Sequence, residues 1–138
     1  MADPITFISI SLDQALIVVE AARAHAERIG VPSFIIVVDV HGTEKASLRM
    51  DDNGEASPRL APQKARTAVS FKTPTDELGT EVANDPAVVA SITSAGFSLL
   101  GGGVPLVLNG AVVGAIGSGG GDPNQDVEVA QAGADALQ

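Results

Sequence analysis

FSLLGGGVPLVLNGAVVGAIGSGGG, residues 97–121, reads as strands folded back on one another between two runs of glycine. Asn109-Gly110 is the signal of a type I′ turn, whose two central residues both need positive φ, and the apolar runs VPLVL and AVVGAIG flank it. Residues 101–103 and 119–121 are all glycine; without a Cβ they let a ligand or another backbone come close. Asp122-Pro123-Asn124-Gln125 follows as N-cap, first-turn proline and N3 amide, so a capped helix starts there. A glycine loop entering a helix N-terminus can seat a carboxylate or phosphate on free N–H groups. It can equally serve tight turns and close packing. No Gly-Lys-Ser/Thr follows, so the nucleotide P-loop is excluded.

Working outward, Ser11-Leu12-Asp13-Gln14 is a second capping box, and Leu12, Leu16, Val19, Ala22, Ala26 and Ile29 recur at helical spacing up to Gly30. A helix over 12–29 follows, with those residues as its buried stripe. FIIVV (34–38) is a strand; residues 39–42 turn the chain into a second strand over 45–50. After the polar stretch 51–57 a helix starts at 58 or 62 and runs to 71, because prolines at 58 and 62 suit only a first turn. Thr73-Pro74-Thr75 breaks it before a short helix over 76–83. Residues 85–95 read as a short helix or a loop, and 97–100, 105–108 and 112–117 as three strands.

The expected fold is α+β: one antiparallel five-stranded sheet flanked by helices, in the order α-β-β-α-α-β-β-β-α. A single domain over 1–138 is expected, burying roughly 68% of its unfolded surface. FIIVV and AVVGAI do not alternate in polarity, which predicts a sheet covered on both faces. Helices on one face and a partner subunit on the other would do this, so a homo-oligomer is expected.

Composition narrows the function. Aromatic residues are 3% of the chain and net charge is −9, which removes both the stacking platforms and the basic patches that nucleic acid needs. An anionic membrane surface is disfavoured for the same reason. No apolar run approaches the ~20 residues of a membrane span, and no basic segment precedes an apolar one near the start, so a cytoplasmic protein is expected. Cysteine is absent, and with it disulfides and thiolate chemistry. The two histidines, His25 and His41, stand in separate elements without HxH or HxxxH spacing, so no metal site is expected.

Lys64 is the most informative charged residue. With Thr67, Ala68 and Phe71 it occupies i, i+3, i+4 and i+7, one face of a helix, and if that face meets the sheet its amine enters a pocket. There it would hold an anion or act as an amine base; otherwise it snorkels to water. Arg49, ending its strand, is a planar donor for a carboxylate. Asp39 and Asp126 are polar partners or backbone fasteners at a turn and a helix start.

Several segments taken in order resemble the GlcG/HbpS family, found also as the C-terminal domain of PduO-type proteins. They are GVP and FIIVVDVHG (within 30–42), LRMD (48–51), QKARTAVSFKTPT (63–75), GGGVPLVLNGAVVGAIGSGGGDPNQD (101–126) and VAQAG (129–133). The resemblance implies a profilin-like or PAS-like domain with a five-stranded antiparallel sheet, assembled as dimers to octamers. It also implies binding of haem or a related tetrapyrrole. Haem iron takes an axial donor, for which this chain offers His25, His41, Met50 and Met1. On this reading Lys64, Arg49, Gly119, Gly120 and Gly121 meet ligand carboxylates, with Thr67 on the same helix face, while Ala68, Phe71 and Val104 offer apolar surface. A different class remains open: a cofactor-free enzyme acting on a small carboxylate, with Lys64 or Asp39 moving the proton. A scaffold without any ligand is the third.

Overall fold

The computed structural model describes residues 2–138; Met1, one of the expected iron donors, lies outside them. Its elements are α1 (Leu12–Ile29), β1 (Phe34–Asp39), β2 (Glu44–Arg49), α2 (Ala56–Phe71), α3 (Thr75–Val82), α4 (Pro86–Ser94), β3 (Gly103–Leu108), β4 (Ala111–Gly119) and α5 (Pro123–Asp135). The sheet runs β2-β1-β4-β3 with every neighbouring pair antiparallel. Asn109 and Gly110, at φ of 51° and 80°, make the expected hairpin turn.

Among the described residues four strands, not five, form the sheet, and the order is α-β-β-α-α-α-β-β-α. Residues 97–100 are the error. Their backbone donors are used locally or by side chains: Phe97 N–H donates to the Ile92 carbonyl at 3.2 Å, Ser98 N–H to Thr67 Oγ1 at 2.9 Å and Leu100 N–H to Ser98 Oγ at 3.2 Å. A segment satisfied in that way needs no strand neighbour. β3 is left as an edge strand, where Pro105 is tolerated. Upstream, Asp85 accepts from Val88 N–H at 3.3 Å and Pro86 takes the first turn, which makes a helix of the ambiguous segment.

Both faces of the sheet are covered from within the chain, so no partner subunit is needed to cover one. Ile35, Val37 and Ile116 pack with α1 and α5. Ile36, Val38 and Ala115 pack against Ala61, Ala65 and Ala68 of α2. The unbroken apolar run of β1 is the consequence. Helix α2 sits tightly because two strand residues facing it are glycine: a Cβ on Gly117 would overlap the Ala61 carbonyl oxygen, and one on Gly103 that of Lys64. Helix α2 also begins earlier than expected, at Ala56, and carries Pro62 inside it.

Helix α1 has its expected bounds and its capping box, Ser11 Oγ accepting from Gln14 N–H at 3.2 Å. Its buried stripe differs. Ala15, Val18, Val19, Ala22 and Ala26 face inward, while Leu12 and Leu16 are 52% and 47% exposed. Helix α5 approaches that stripe closely: a Cβ on Gly133 would lie 2.9 Å from the Val18 carbonyl oxygen and 3.1 Å from the Ala22 Cβ. Only small residues fit that seam.

Candidate functional site

The N-terminal half of α2, the end of β4 and the start of α5 enclose a cavity of about 270 Å³. Ser57, Leu60 and Lys64 line it from α2 and Gly119, Gly120 and Gly121 from the glycine run, with Leu100 and Asp126 also in its wall. Thus the structure brings Lys64 and the second glycine run to one place.

Its electrostatics differ from an open anion pocket. Lys64 is 3% exposed, and its Nζ donates to Asp126 Oδ2 at 2.9 Å and to the Ser118 carbonyl oxygen at 3.0 Å. The other oxygen of Asp126 accepts from Gly121 N–H at 2.9 Å. The carboxylate held between the amine and the glycine loop therefore belongs to the protein. Asp126 stands in the first turn of α5, where the helix dipole also favours a negative charge. Gly102, at φ 124°, makes room: a Cβ there would lie 3.0 Å from Lys64 Nζ and 2.9 Å from the Asp126 Cβ. Gly120 serves packing, since the Pro32 carbonyl fills the space its Cβ would take.

An ammonium carries three donors. Two are used, and the third has no acceptor among the described residues. Ser57, 8% exposed, accepts from Asn53 Nδ2 at 3.0 Å, which leaves its own hydroxyl proton free. No side chain caps α2, and its first two residues, Ala56 and Ser57, whose N–H groups have no intrahelical acceptor, line the cavity. The cavity thus presents donors, framed by the apolar side chains of Leu60 and Leu100.

The remaining candidates lie elsewhere. Thr67 Oγ1 donates to the Gln63 carbonyl and holds Ser98; Ala68 is in the α2 core. Phe71 packs edge-on against Phe97, with ring centroids 5.4 Å apart, and Val104 is buried on the α1/α5 side of the sheet. Arg49 donates to the Asn53 carbonyl at 2.8 Å and lines a separate, shallower cavity with Arg59 and Glu55. Asp39 Oδ1 accepts from the N–H groups of His41 and Thr43, which fastens the β1–β2 turn. His25 is paired with Glu128 at 2.9 Å between α1 and α5; His41 lies edge-on to Phe7. Met50 Sδ accepts from Ser33 N–H. Among the described residues no group of three or more histidines, acids or cysteines is placed to hold a metal ion, and no helix is long and apolar enough to cross a membrane.

Ser57 and Leu60 escaped sequence reading although they stand at i and i+3 before Lys64 at i+7. The signal was present. Starting the helix at its prolines hid it, because that placed Ser57 outside the helix.

A family model described as haem degrading protein HbpS-like matches residues 10–135. Over 128 residues the chain is 36% identical to the corrinoid adenosyltransferase PduO of Salmonella typhimurium, covering 91% of this chain and 38% of that protein. The chain thus spans well under half the length of that relative. Among solved structures, that of a PduOC–haem complex matches with a TM-score of 0.85 and 34% identity, covering 94% of this chain and 95% of the other. HbpS matches with a TM-score of 0.90 and 34% identity over 99% and 95%.

Proposed function

The chain belongs to the HbpS-like family, and from that premise we propose that it is a small ligand-binding protein for haem or a related tetrapyrrole, working as a homo-oligomer. Its likeness to a chain solved as a haem complex, at 34% identity over 94% of its length, supports haem-related ligand binding. One feature of this structure carries the reading further: the donor-lined cavity opens between Leu60 and Leu100, both exposed apolar side chains. At about 270 Å³ it falls below the roughly 300–1,000 Å³ of sites that enclose a whole ligand, so it takes a carboxylate arm while the ring lies on the leucine rim.

The fit is to the arms and the apolar ring. No histidine or methionine among the described residues lines the cavity, so iron ligation is assigned to no residue there. When bound, haem would bring redox-active iron; the chain's part is to orient its carboxylates and shield one face. Oligomerisation is supported by the apolar side chains that α1 and the preceding arm turn outward, namely Ile5, Phe7, Ile8, Leu12, Leu16 and Ile17.

Adding haem to ligand-free protein and following the Soret band tests the proposal. A saturable shift at micromolar haem is expected. Its absence rejects the reading and leaves the second one, an enzyme acting on a small carboxylate, whose seat would be the same donor-lined cavity.

A further inference from the structure

We infer that the cavity beside Lys64 is a carboxylate seat built by the start of α2, with Ser57 as a binding residue. Donors of three kinds border it. The third N–H of Lys64 is unpaired on a side chain only 3% exposed. The Ser57 hydroxyl accepts from Asn53 Nδ2 and keeps its own proton to donate. The uncapped first turn of α2 adds the N–H groups of Ala56 and Ser57, with the positive end of a 16-residue helix behind them. Among the described residues the only carboxylate in the wall is that of Asp126, and both of its oxygens are engaged, by Lys64 and Gly121. An anion entering therefore meets donors, and the charge of Asp126 is already balanced by the amine. A buried donor left unpaired is costly, so a guest that accepts from all three is held strongly.

The planar, two-oxygen geometry of a carboxylate suits donors arriving from two sides, and Leu60, Leu100 and Pro123 accept its carbon chain. The carboxylate belongs either to the arm of a tetrapyrrole, in which case the inference rests on the haem reading, or to a small free organic acid, in which case it does not.

Two titrations separate these sources. In the first, sodium propanoate is added to isotope-labelled protein while amide resonances are followed; those of Ala56, Ser57 and Gly119–Gly121 shift saturably. In the second, haem is compared with its dimethyl ester, whose arms carry no charge. Each is repeated on Ser57→Ala and Ser57→Asp. Both variants should fold: Asn53 Nδ2 keeps the Pro32 and Gly119 carbonyls as acceptors, and an acid in a first helical turn is favourable. Circular dichroism confirms it. Ser57→Ala weakens binding about tenfold, the value of one charge-assisted hydrogen bond, and Ser57→Asp abolishes it.

A propanoate response weakened by both variants assigns the seat to a free acid. Haem affinity that falls at least tenfold on esterification, and again in Ser57→Asp, assigns it to the tetrapyrrole arm. Either supports the seat. No propanoate response together with equal affinities for haem and its ester overturns it, as does binding unchanged in both variants, while the Soret titration judges haem binding separately.

Discussion

Lys64 Nζ and Asp126 Oδ2 stand 2.9 Å apart with both side chains almost wholly buried, joining the middle of α2 to the first turn of α5. The pair does two things at once. It closes one wall of the cavity, and it ties together elements on opposite faces of the sheet through the end of β4, whose Ser118 carbonyl accepts a second bond from the amine.

Removing one partner therefore unfolds more than a site. Lys64→Ala leaves a buried carboxylate with only the Gly121 N–H, and a loss of about 3–5 kcal/mol is expected. Lys64→Met combined with Asp126→Leu removes both charges and should recover part of that loss. Urea unfolding of the wild type, Lys64→Met, Asp126→Leu and the double variant measures the coupling; additive losses would show that the pair is not coupled. A drop in ligand binding in Lys64→Ala alone is thus no evidence of a catalytic amine.

Thr75 is a second buried fastening. Its hydroxyl is fully enclosed, accepts from Gly103 N–H at 2.9 Å, and anchors the start of α3 to the first residue of β3. Thr75→Val keeps the shape and strands that N–H, so stability should fall by about 1–3 kcal/mol. Amide exchange at Gly103, measured alongside denaturation, should speed up by more than at Leu106 in the same strand. Equal protection at both would mean that Thr75 contributes through packing alone.

Assembly can be tested on the outward face of α1. Ile17 is 56% exposed beside Leu16, so Ile17→Glu removes apolar surface without touching the core. Light scattering on a sizing column should show the variant as a smaller species than the wild type. Its melting temperature extrapolated to low protein concentration should be unchanged, since a monomer has little use for that side chain. An unaltered mass would exclude α1 from the interface.

Much of this architecture was readable from local chemistry, and the failures share a cause. Two capping boxes, one Asn-Gly turn and the unbroken run of β1 are short-range signals, and each has its structural counterpart in α1, α5, the β3–β4 hairpin and a doubly covered strand. Residues 97–100 look like a strand but have no strand beside them, and only tertiary contacts, Thr67 to Ser98 among them, decide that. Leu12 and Leu16 fit the helical period yet face outward, while Val18 and Ala22 meet Gly133 of a helix distant in sequence, a contact that no local pattern encodes. At the site, the helical spacing of Lys64 left a pocket amine and a snorkelling one both open; the amine is buried, and its partner Asp126 lies 62 residues away with no periodicity to link them.

The glycines of this chain divide into those that are fillable and those that are not, and one pair of substitutions separates them. At Gly117 a Cβ would overlap the Ala61 carbonyl oxygen and lie 3.0 Å from the Ala65 Cβ, and neither atom can retreat without lifting α2 from the sheet. Gly117→Ala should therefore cost at least about 3 kcal/mol and disturb the cavity, since Ser57, Leu60 and Lys64 ride on the same helix. Gly54 has no positive φ, and a Cβ added to it would meet nothing within 4 Å. Gly54→Ala should leave the fold unchanged or raise its stability by about 0.4–1 kcal/mol, by restricting the unfolded chain. Urea midpoints of the two variants against wild type give the comparison. Equal effects at the two positions would mean that α2 can slide over β4, and the close contact would then not be what positions the donors of the cavity.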